Sequence, residues 1–514
     1  MLHMFNTVGL SSLLAIPGVT ALLLPRQEQS FASTGNPILA DGSIYSADPA
    51  PLVVNGSLYI LTGRDEAGPA ENAFIMNEWQ VFSTETPDPL GSSWSLHQKI
   101  AQPQDVFSWA DDGSAYAGQI VQGQDGRFYF YAPIKQRDTN STDPFGIGVA
   151  VADGPLGPFT DLHPSGPIIS QSVPAPGNTI QNIDPTVLVD TDGRIFIYFG
   201  TFGQLRGYEL EADMITPKGS VTVVSTLTGF FEAPWLMKRG DTYYMLYAAN
   251  NAGQDSPCTP TSYHACLAYG TASSPLGPWT FQGVFMDIVS STTSHPGLFE
   301  WTNDEWYLVY HTRDAVGGTH FRRSVAFDKL LWDDSSSPPS IQKVVQTHRP
   351  AGSTQPTRNI ASKATASANV TTPIQYWIAA LNDERIETNP LPPDVWSSYN
   401  GEQSPQSMSL TYDWNSTVQA NGVRVVFFAD QPAGSNVGVP PPASWKVEYL
   451  NGNIWNPVNA SDAYPTDVTD DPVEVSFATV ETAALRVILE ASGSGGQFGG
   501  VGVKEWEVMT PVAS

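Results

Sequence analysis

One unit recurs five times in the first 310 residues of this chain, and it settles most of what the chain can fold into. Each copy runs from a polar residue through a short apolar strand and a Gly, Asp or Asn turn to a second strand rich in aromatic and β-branched residues. The copies occupy residues 48–61, 119–131, 183–200, 232–247 and 295–310, and the polar residues that open their strands are Asp48, Gln119, Asp184, Glu232 and His295. A second motif follows three copies: Asp88-Pro89-Leu90-Gly91, Gly154-Pro155-Leu156-Gly157 and Ser274-Pro275-Leu276-Gly277. It comes after a third apolar run, such as 148–152, where a chain turns into an outer strand. The 44 Gly and 42 Pro also leave little room for long helices. Four-stranded units repeating at a spacing of roughly 50–70 residues predict an all-β, five-bladed β-propeller.

In a propeller the first strand of each blade lines the central channel, so residues that open those strands meet at one end of the axis. Asp48, Asp184 and Glu232 are thereby predicted to share a pit with Gln119 and His295. Carboxylates crowded and partly buried raise one another's pKa, leaving one proton to donate. A protonated and an ionised carboxyl flanking a bond are what glycoside hydrolysis requires. An acid before a strand is more often a turn residue than a catalyst; the repeated blade position is what favours chemistry here. His295 alone reads as a packed histidine, with a cation or water cluster in the channel as its alternative. The net charge of −27 repels phosphate backbones and excludes nucleic acid as a partner.

Ser46-Ala47-Asp48-Pro49, Ile183-Asp184-Pro185-Thr186, Glu232-Ala233-Pro234-Trp235 and Ser294-His295-Pro296-Gly297 resemble, in this order, glycoside hydrolase family 43. The resemblance spans residues from about 30 to about 350 and implies a five-bladed propeller and hydrolysis with inversion. It implies Asp48 as general base, Glu232 as general acid and Asp184 as the group that tunes the acid's pKa. Arg323, in His320-Phe321-Arg322-Arg323-Ser324, matches a family arginine that approaches the sugar, and neighbouring Arg322 leaves the register open. The histidine at the place of His295 binds a central calcium ion or water cluster in many members. Inversion places base and acid about 6.5–9.5 Å apart. No cofactor is needed for the chemistry. Gln119, Trp109 and Trp235 are the remaining candidates to touch sugar, and each tryptophan has blade packing as an equal alternative.

Residues 1–25 form an apolar run with small residues, read as a secretory signal cleaved near Ala21, although no Lys or Arg precedes Arg26. No later segment is apolar for long enough to span a bilayer. The only two cysteines, Cys258 and Cys266, are expected to close a small disulfide loop; a metal pair with His264 fits no familiar zinc spacing. Sequons at Asn55, Asn140, Asn369, Asn415 and Asn459 agree with an extracellular, monomeric glycoprotein.

The propeller is assigned to residues 27–350, and a second domain to 355–514. Strands at 422–428, 444–449 and 484–489 predict a β-sandwich. The run Ala380-Leu381-Asn382-Asp383, Trp396 and Ser444-Trp445-Lys446-Val447 resembles the discoidin-like jelly rolls, some of which bind carbohydrate, often with calcium in the first loop, while others only brace a catalytic partner. The sequence reading is a secreted, exo-acting α-L-arabinofuranosidase working on plant cell-wall polysaccharide. A β-D-galactofuranosidase, a β-xylosidase or a galactanase of the same family is the alternative. A lectin-like propeller without catalysis is the alternative of a different class.

Overall fold

A computed structural model describes residues 28–511, apart from 88–89, 138, 140–143, 250–257, 259–264, 290–292, 303, 348–358, 374, 388–389, 393, 402–403, 461–462 and 470. The predicted leader, Asn140, His264 and the domain boundary at 350–355 lie outside the described residues.

The tight turns of the repeat build its hairpins. At Asn55-Gly56 both residues take left-handed φ, 52° and 77°, which matches the right-handed twist of the strands they join. That turn joins β2 (Ala47–Val54) to β3 (Ser57–Gly63), and β4 (Trp79–Thr84) and β5 (Leu90–Ala101) complete the outward meander. An earlier strand, β1 (Glu28–Thr34), pairs with the outer edge of β5. The second blade is β6 (Gln119–Gln122), β7 (Phe128–Lys135), β8 (Phe145–Ala152) and β9 (Thr160–Asp161). The third is β10 (Thr186–Val189), β11 (Ile195–Phe199), β12 (Leu205–Leu210) and β13 (Pro217–Val224). The fourth is β14 (Phe230–Arg239), β15 (Thr242–Ala249), β16 (Cys266–Ala272) and β17 (Thr280–Met286). The fifth has β18 (Gly297–Glu300), β19 (Trp306–Thr312) and β20 (Ser324–Leu330), followed by a short pair, β21 (Trp332–Asp333) and β22 (Ser340–Ile341).

The five blades are as predicted, but they are not five copies of four strands. The fifth sheet stops at three, and its free edge is taken by residues 36–46. Ile38 N–H donates to the Val325 carbonyl and Ser46 N–H to the Arg323 carbonyl, both at 2.8 Å, while the Asn36 amide exchanges hydrogen bonds with the backbone of Phe327. The chain entering the first blade thus sews the last one shut and leaves less edge open to other chains.

The second strands are aromatic because they are buried on both faces between neighbouring blades; every residue of β11 is buried. Their phenols then need partners, and they find them across the blade boundaries. Tyr131 Oη donates to the Met214 carbonyl at 2.7 Å, Tyr198 Oη to the Pro275 carbonyl at 3.1 Å and Tyr244 Oη to the Pro339 carbonyl at 2.8 Å. Pro275 belongs to the second motif, whose turn is closed by Gly277 N–H on the Ser274 carbonyl at 3.0 Å. The disulfide between Cys258 and Cys266 is present, at the start of β16.

The C-terminal domain is a β-sandwich. Its strands are β23 (Thr365–Ala368), β24 (Trp396–Ser397), β25 (Ser407–Phe428), β26 (Ser444–Asn451), β27 (Ile454–Pro457), β28 (Val473–Glu490), the short pair β29 (Gly493–Ser494) and β30 (Gln497–Phe498), and β31 (Gly502–Met509). The main sheet runs β24-β31-β25-β28-β26-β27, with β23 on β25. β25 and β28 are 22 and 18 residues long, and irregularities at 413–418 and 420–422 let them bend from one layer to the other. The enclosed core holds Trp396, Trp445 and Tyr412 stacked on Trp506 at 4.0 Å.

Candidate active site

Four inner strands carry a proline just before or within their first half, in Asp48-Pro49, Asp184-Pro185, Ala233-Pro234 and His295-Pro296. Proline has no N–H for the ladder and restricts the residue before it, so the strand cannot begin regularly. Asp48, Asp184 and Ala233 instead hold φ of 56°, 55° and 56°, a region that non-glycine residues seldom occupy. The ladders skip at the same places, between Ala47 and Ala50 and between Glu232 and Trp235. Backbone strain of this kind, repeated at one end of one channel, marks a place the surrounding fold over-determines. Aligned by their prolines, Asp48, Asp184, Ala233 and His295 are equivalent, so Glu232 stands one residue ahead of the position the repeat assigned to it. Its longer side chain reaches the shared pocket from there.

The groups hold one another in place. The Ala233 N–H donates to Asp184 Oδ2 at 3.1 Å, fixing the turn beside Glu232, and Thr201 Oγ1 donates to Glu232 Oε2 at 3.3 Å. On the opposite side Arg323, 4 % exposed, spends its whole guanidinium on the site. Nε and Nη2 grip Asp65 at 2.9 Å each, Nη1 donates to Asp48 Oδ1 at 3.1 Å and Thr293 Oγ1 at 3.2 Å, and Nη2 also meets Met76 Sδ at 3.4 Å. The open register between the two arginines is thereby resolved: Arg323 is in the pocket, and Arg322 lies over the Tyr45 ring at 5.4 Å. Asp48 N–H donates to His311 Nδ1 at 3.1 Å, which leaves the proton on Nε2, 2.9 Å from the Thr293 carbonyl. Burial and the Arg323 charge depress His311 and hold His295 down to about 3, so both rings are neutral.

The carboxyls respond to the same environment. Burial, and then the charge of Asp48, push Glu232 up to about 7, against the pull of Arg323 and Thr201. Burial followed by the charges of Glu232 and Asp48 raises Asp184 well above the ordinary range. Asp48 is also raised by burial, but Arg323 opposes this by charge and by hydrogen bond. Asp184 and Glu232 therefore retain a proton between them near neutral pH, and Asp48 is the ring acid best placed to stay ionised.

These groups line a cavity of about 640 Å³ whose walls include Phe74, Tyr116, Phe202 and Phe231. Phe74 lies 4.7 Å beneath the Arg323 guanidinium, and Phe202, 55 % exposed, meets Phe231 edge-on at 5.5 Å. A larger cavity of about 800 Å³ lies where the domains meet, but there Arg313 is paired with Asp383 and Arg385 with Asp314, and none of the ring acids lines it, so the acid-lined pocket is the candidate site. The family model for glycosyl hydrolases family 43 matches residues 34–338. The chain belongs to that family.

Similar family 43 proteins differ in the sugar they are named for. A xylosidase/arabinosidase of Bacteroides ovatus is 31% identical over 333 residues, covering 56% of this chain and 92% of its own. A β-D-galactofuranosidase of Aspergillus niger is 25% identical over 343 residues, covering 62% and 90%. The solved structure of a family 43 arabinoxylan arabinofuranohydrolase from Bacillus subtilis covers 93% of this chain and 98% of its own at 21% identity and a TM-score of 0.50, a likeness of fold.

Three predicted sugar contacts are elsewhere in this family 43 chain. Gln119 Oε1 accepts from Val187 N–H at 2.5 Å and ties the second blade to the third. Trp235 is 7 % exposed inside the propeller core. Trp109 packs on Phe107 at 5.6 Å and donates to Asp161 Oδ2 at 3.1 Å. Their bulk or polarity is used between strands, and none lines the pocket. His295 does line it, with Nδ1 3.7 Å from Asp48 Oδ1. Among the described residues no three or more His, Cys, Asp or Glu side chains gather as metal ligands, and Asp383 of the sandwich's first loop is paired with Arg313, so neither place fits a directly ligated calcium. Sequence reasoning missed Asp65, His311, Thr201, Thr293 and the four aromatic walls. Phe231, beside Glu232, is the one that adjacency could have flagged.

Proposed function

We propose that this protein is an exo-acting glycosidase that releases terminal α-L-arabinofuranosyl units from plant cell-wall polysaccharide with inversion. The observation that carries it is a carboxyl held at about 7, Glu232, sharing a pocket with a carboxylate, Asp48, that accepts from the Arg323 guanidinium at 3.1 Å. Glu232 gives its proton to the glycosidic oxygen as the bond from C1 to that oxygen breaks. Asp48 takes a proton from a water that attacks C1 from the other face. The cycle leaves Glu232 ionised and Asp48 protonated, and exchange with solvent resets both. Asp184 shares the buried proton with Glu232 and orients it by accepting from the Ala233 N–H in the turn beside it. The chemistry uses no cofactor.

The sugar preference is supported by relatives named for it, including an arabinoxylan arabinofuranohydrolase of Bacillus subtilis, 30% identical over 351 residues. A β-D-galactofuranosidase is the second reading, favoured by the Aspergillus niger relative. Secretion as a monomeric glycoprotein belongs to the same proposal, supported by the disulfide and by the exposed sequon residues Asn55, Asn369, Asn415 and Asn459. Turnover of nitrophenyl furanosides and pyranosides identifies the sugar, and proton NMR of the first-formed anomer identifies the stereochemistry. A retained anomer overturns the roles of Asp48 and Glu232, and no turnover on any glycoside or on arabinan, xylan and galactan favours a lectin.

A further inference from the structure

The propeller does not make the pocket alone. Gln375, Leu391 and Pro392 of the second domain line it together with the acids. They flank a stretch ahead of β25 that is fastened to the fifth blade by Arg313, just past β19 and 1 % exposed. Arg313 Nη2 donates to Asp383 at 3.1 Å, Nη1 donates to Asp394 and stands 3.5 Å from Glu387. In return Arg385 donates to the Arg313 carbonyl at 2.9 Å and pairs with Asp314. A buried guanidinium held by carboxylates from separate points of one stretch fixes that stretch in a single position, because any other leaves charge buried without a partner.

The pocket divides by depth. Asp48 and Asp184, 9 % and 6 % exposed, lie at its floor, where a terminal sugar has to sit for the bond to break. The second-domain residues come from outside the ring and are half-buried, so they border the space beyond that bond. Gln375 donates to no described residue, and its amide offers donors and an acceptor to hydroxyls. Leu391 and Pro392 add an apolar ledge suited to the C–H face of a ring.

We propose that Gln375, Leu391 and Pro392 form the binding site for the sugar unit next to the one released. The C-terminal domain then sets chain-length and linkage preference for chemistry that belongs to the propeller. This rests on the exo-glycosidase reading above. The test uses the full chain with Gln375→Ala, Leu391→Ala and, separately, Arg313→Met, each checked for wild-type thermal unfolding. Two substrates carry the same terminal sugar, one as a glycosyl fluoride, whose leaving group is too small to reach the site, and one on a neutral oligosaccharide. The expected result is a loss of about tenfold in kcat/KM on the oligosaccharide, mainly in KM, with the glycosyl fluoride within about twofold of wild type. Equal losses on both substrates, or none on either, overturn the proposal. If Arg313→Met unfolds, the two surface variants decide. Calorimetric titration of the oligosaccharide into Glu232→Gln protein, with and without Gln375→Ala, reads the same site without turnover. Weakening of about tenfold supports the site even if the wild type hydrolyses nothing; unchanged binding, or none, overturns it.

Discussion

Replacing Glu232 with glutamine removes the proposed proton donor and at the same time relieves the fold of an acid it holds unfavourably. A carboxyl with an ordinary value of 4.5 that burial and Asp48 hold at about 7 makes the ionised folded protein less stable by up to about 3 kcal/mol, a ceiling because the proton is shared with Asp184. The sign follows from where protons are bound. Below pH 4.5 the side chain is protonated in folded and unfolded chains alike, and glutamate and glutamine are equivalent. As pH rises from 4.5 to about 7 the unfolded chain ionises while the folded one retains its proton, so the wild type loses stability that the variant keeps, and above 7 the deficit is constant. Thermal unfolding at a series of pH values should give matching midpoints for wild type and Glu232→Gln near pH 4.5. The variant should be higher by several degrees at pH 8, where about 3 kcal/mol corresponds to roughly 5–10 °C for a domain of this size. Its kcat should fall at least roughly a thousandfold. A midpoint difference that stays flat from pH 4.5 to pH 8 would refute the raised pKa, and with it the assignment of the acid.

Arg323→Met leaves Asp48 and the 2 % exposed Asp65 without their cation and should cost about 3–5 kcal/mol. It should also move the acidic limb of kcat/KM to higher pH, since Arg323 opposes the upward push on Asp48; Arg323→Lys should recover part of that limb, and a limb that stays put counts against Asp48 as base. Asp184→Asn keeps an acceptor for the Ala233 N–H but removes one of the two carboxyls that share a proton, so kcat should fall roughly tenfold to a hundredfold across the pH profile. Phe202→Ala should raise KM with little change in Tm, because the ring is 55 % exposed in the pocket. Trp109→Ala should do the reverse, lowering stability by about 2–4 kcal/mol with KM unchanged, and kinetics on the preferred nitrophenyl glycoside would separate the two.

The propeller was legible because a strand–turn–strand unit that cannot bury its own faces has to be stacked, and the acids followed because stacking brings strand openings together. What escaped was whatever the repeat does not encode. The alignment that grouped Glu232 with Asp48 and Asp184 ignored the prolines, which put Ala233 in the equivalent place. Asp65 finds Arg323 across most of the chain, a pairing no local pattern announces. Of the two alternatives open to Trp235, blade packing holds, since the ring lies in the core, and smaller phenylalanines line the pocket. The contribution of Gln375 and Leu391 was hidden because they belong to a domain read separately.

The seam made by residues 36–46 along β20 ends where the chemistry begins. Ser46 donates to the Arg323 carbonyl, and two residues later Asp48 receives the Arg323 guanidinium. Asp48 and the clamping arginine therefore meet only when the two ends of the propeller have found each other, a contact across 275 residues of chain whose closure is entropically costly. Until the ring is closed there is no competent pocket. On the proposed mechanism, activity would require the ring to be closed.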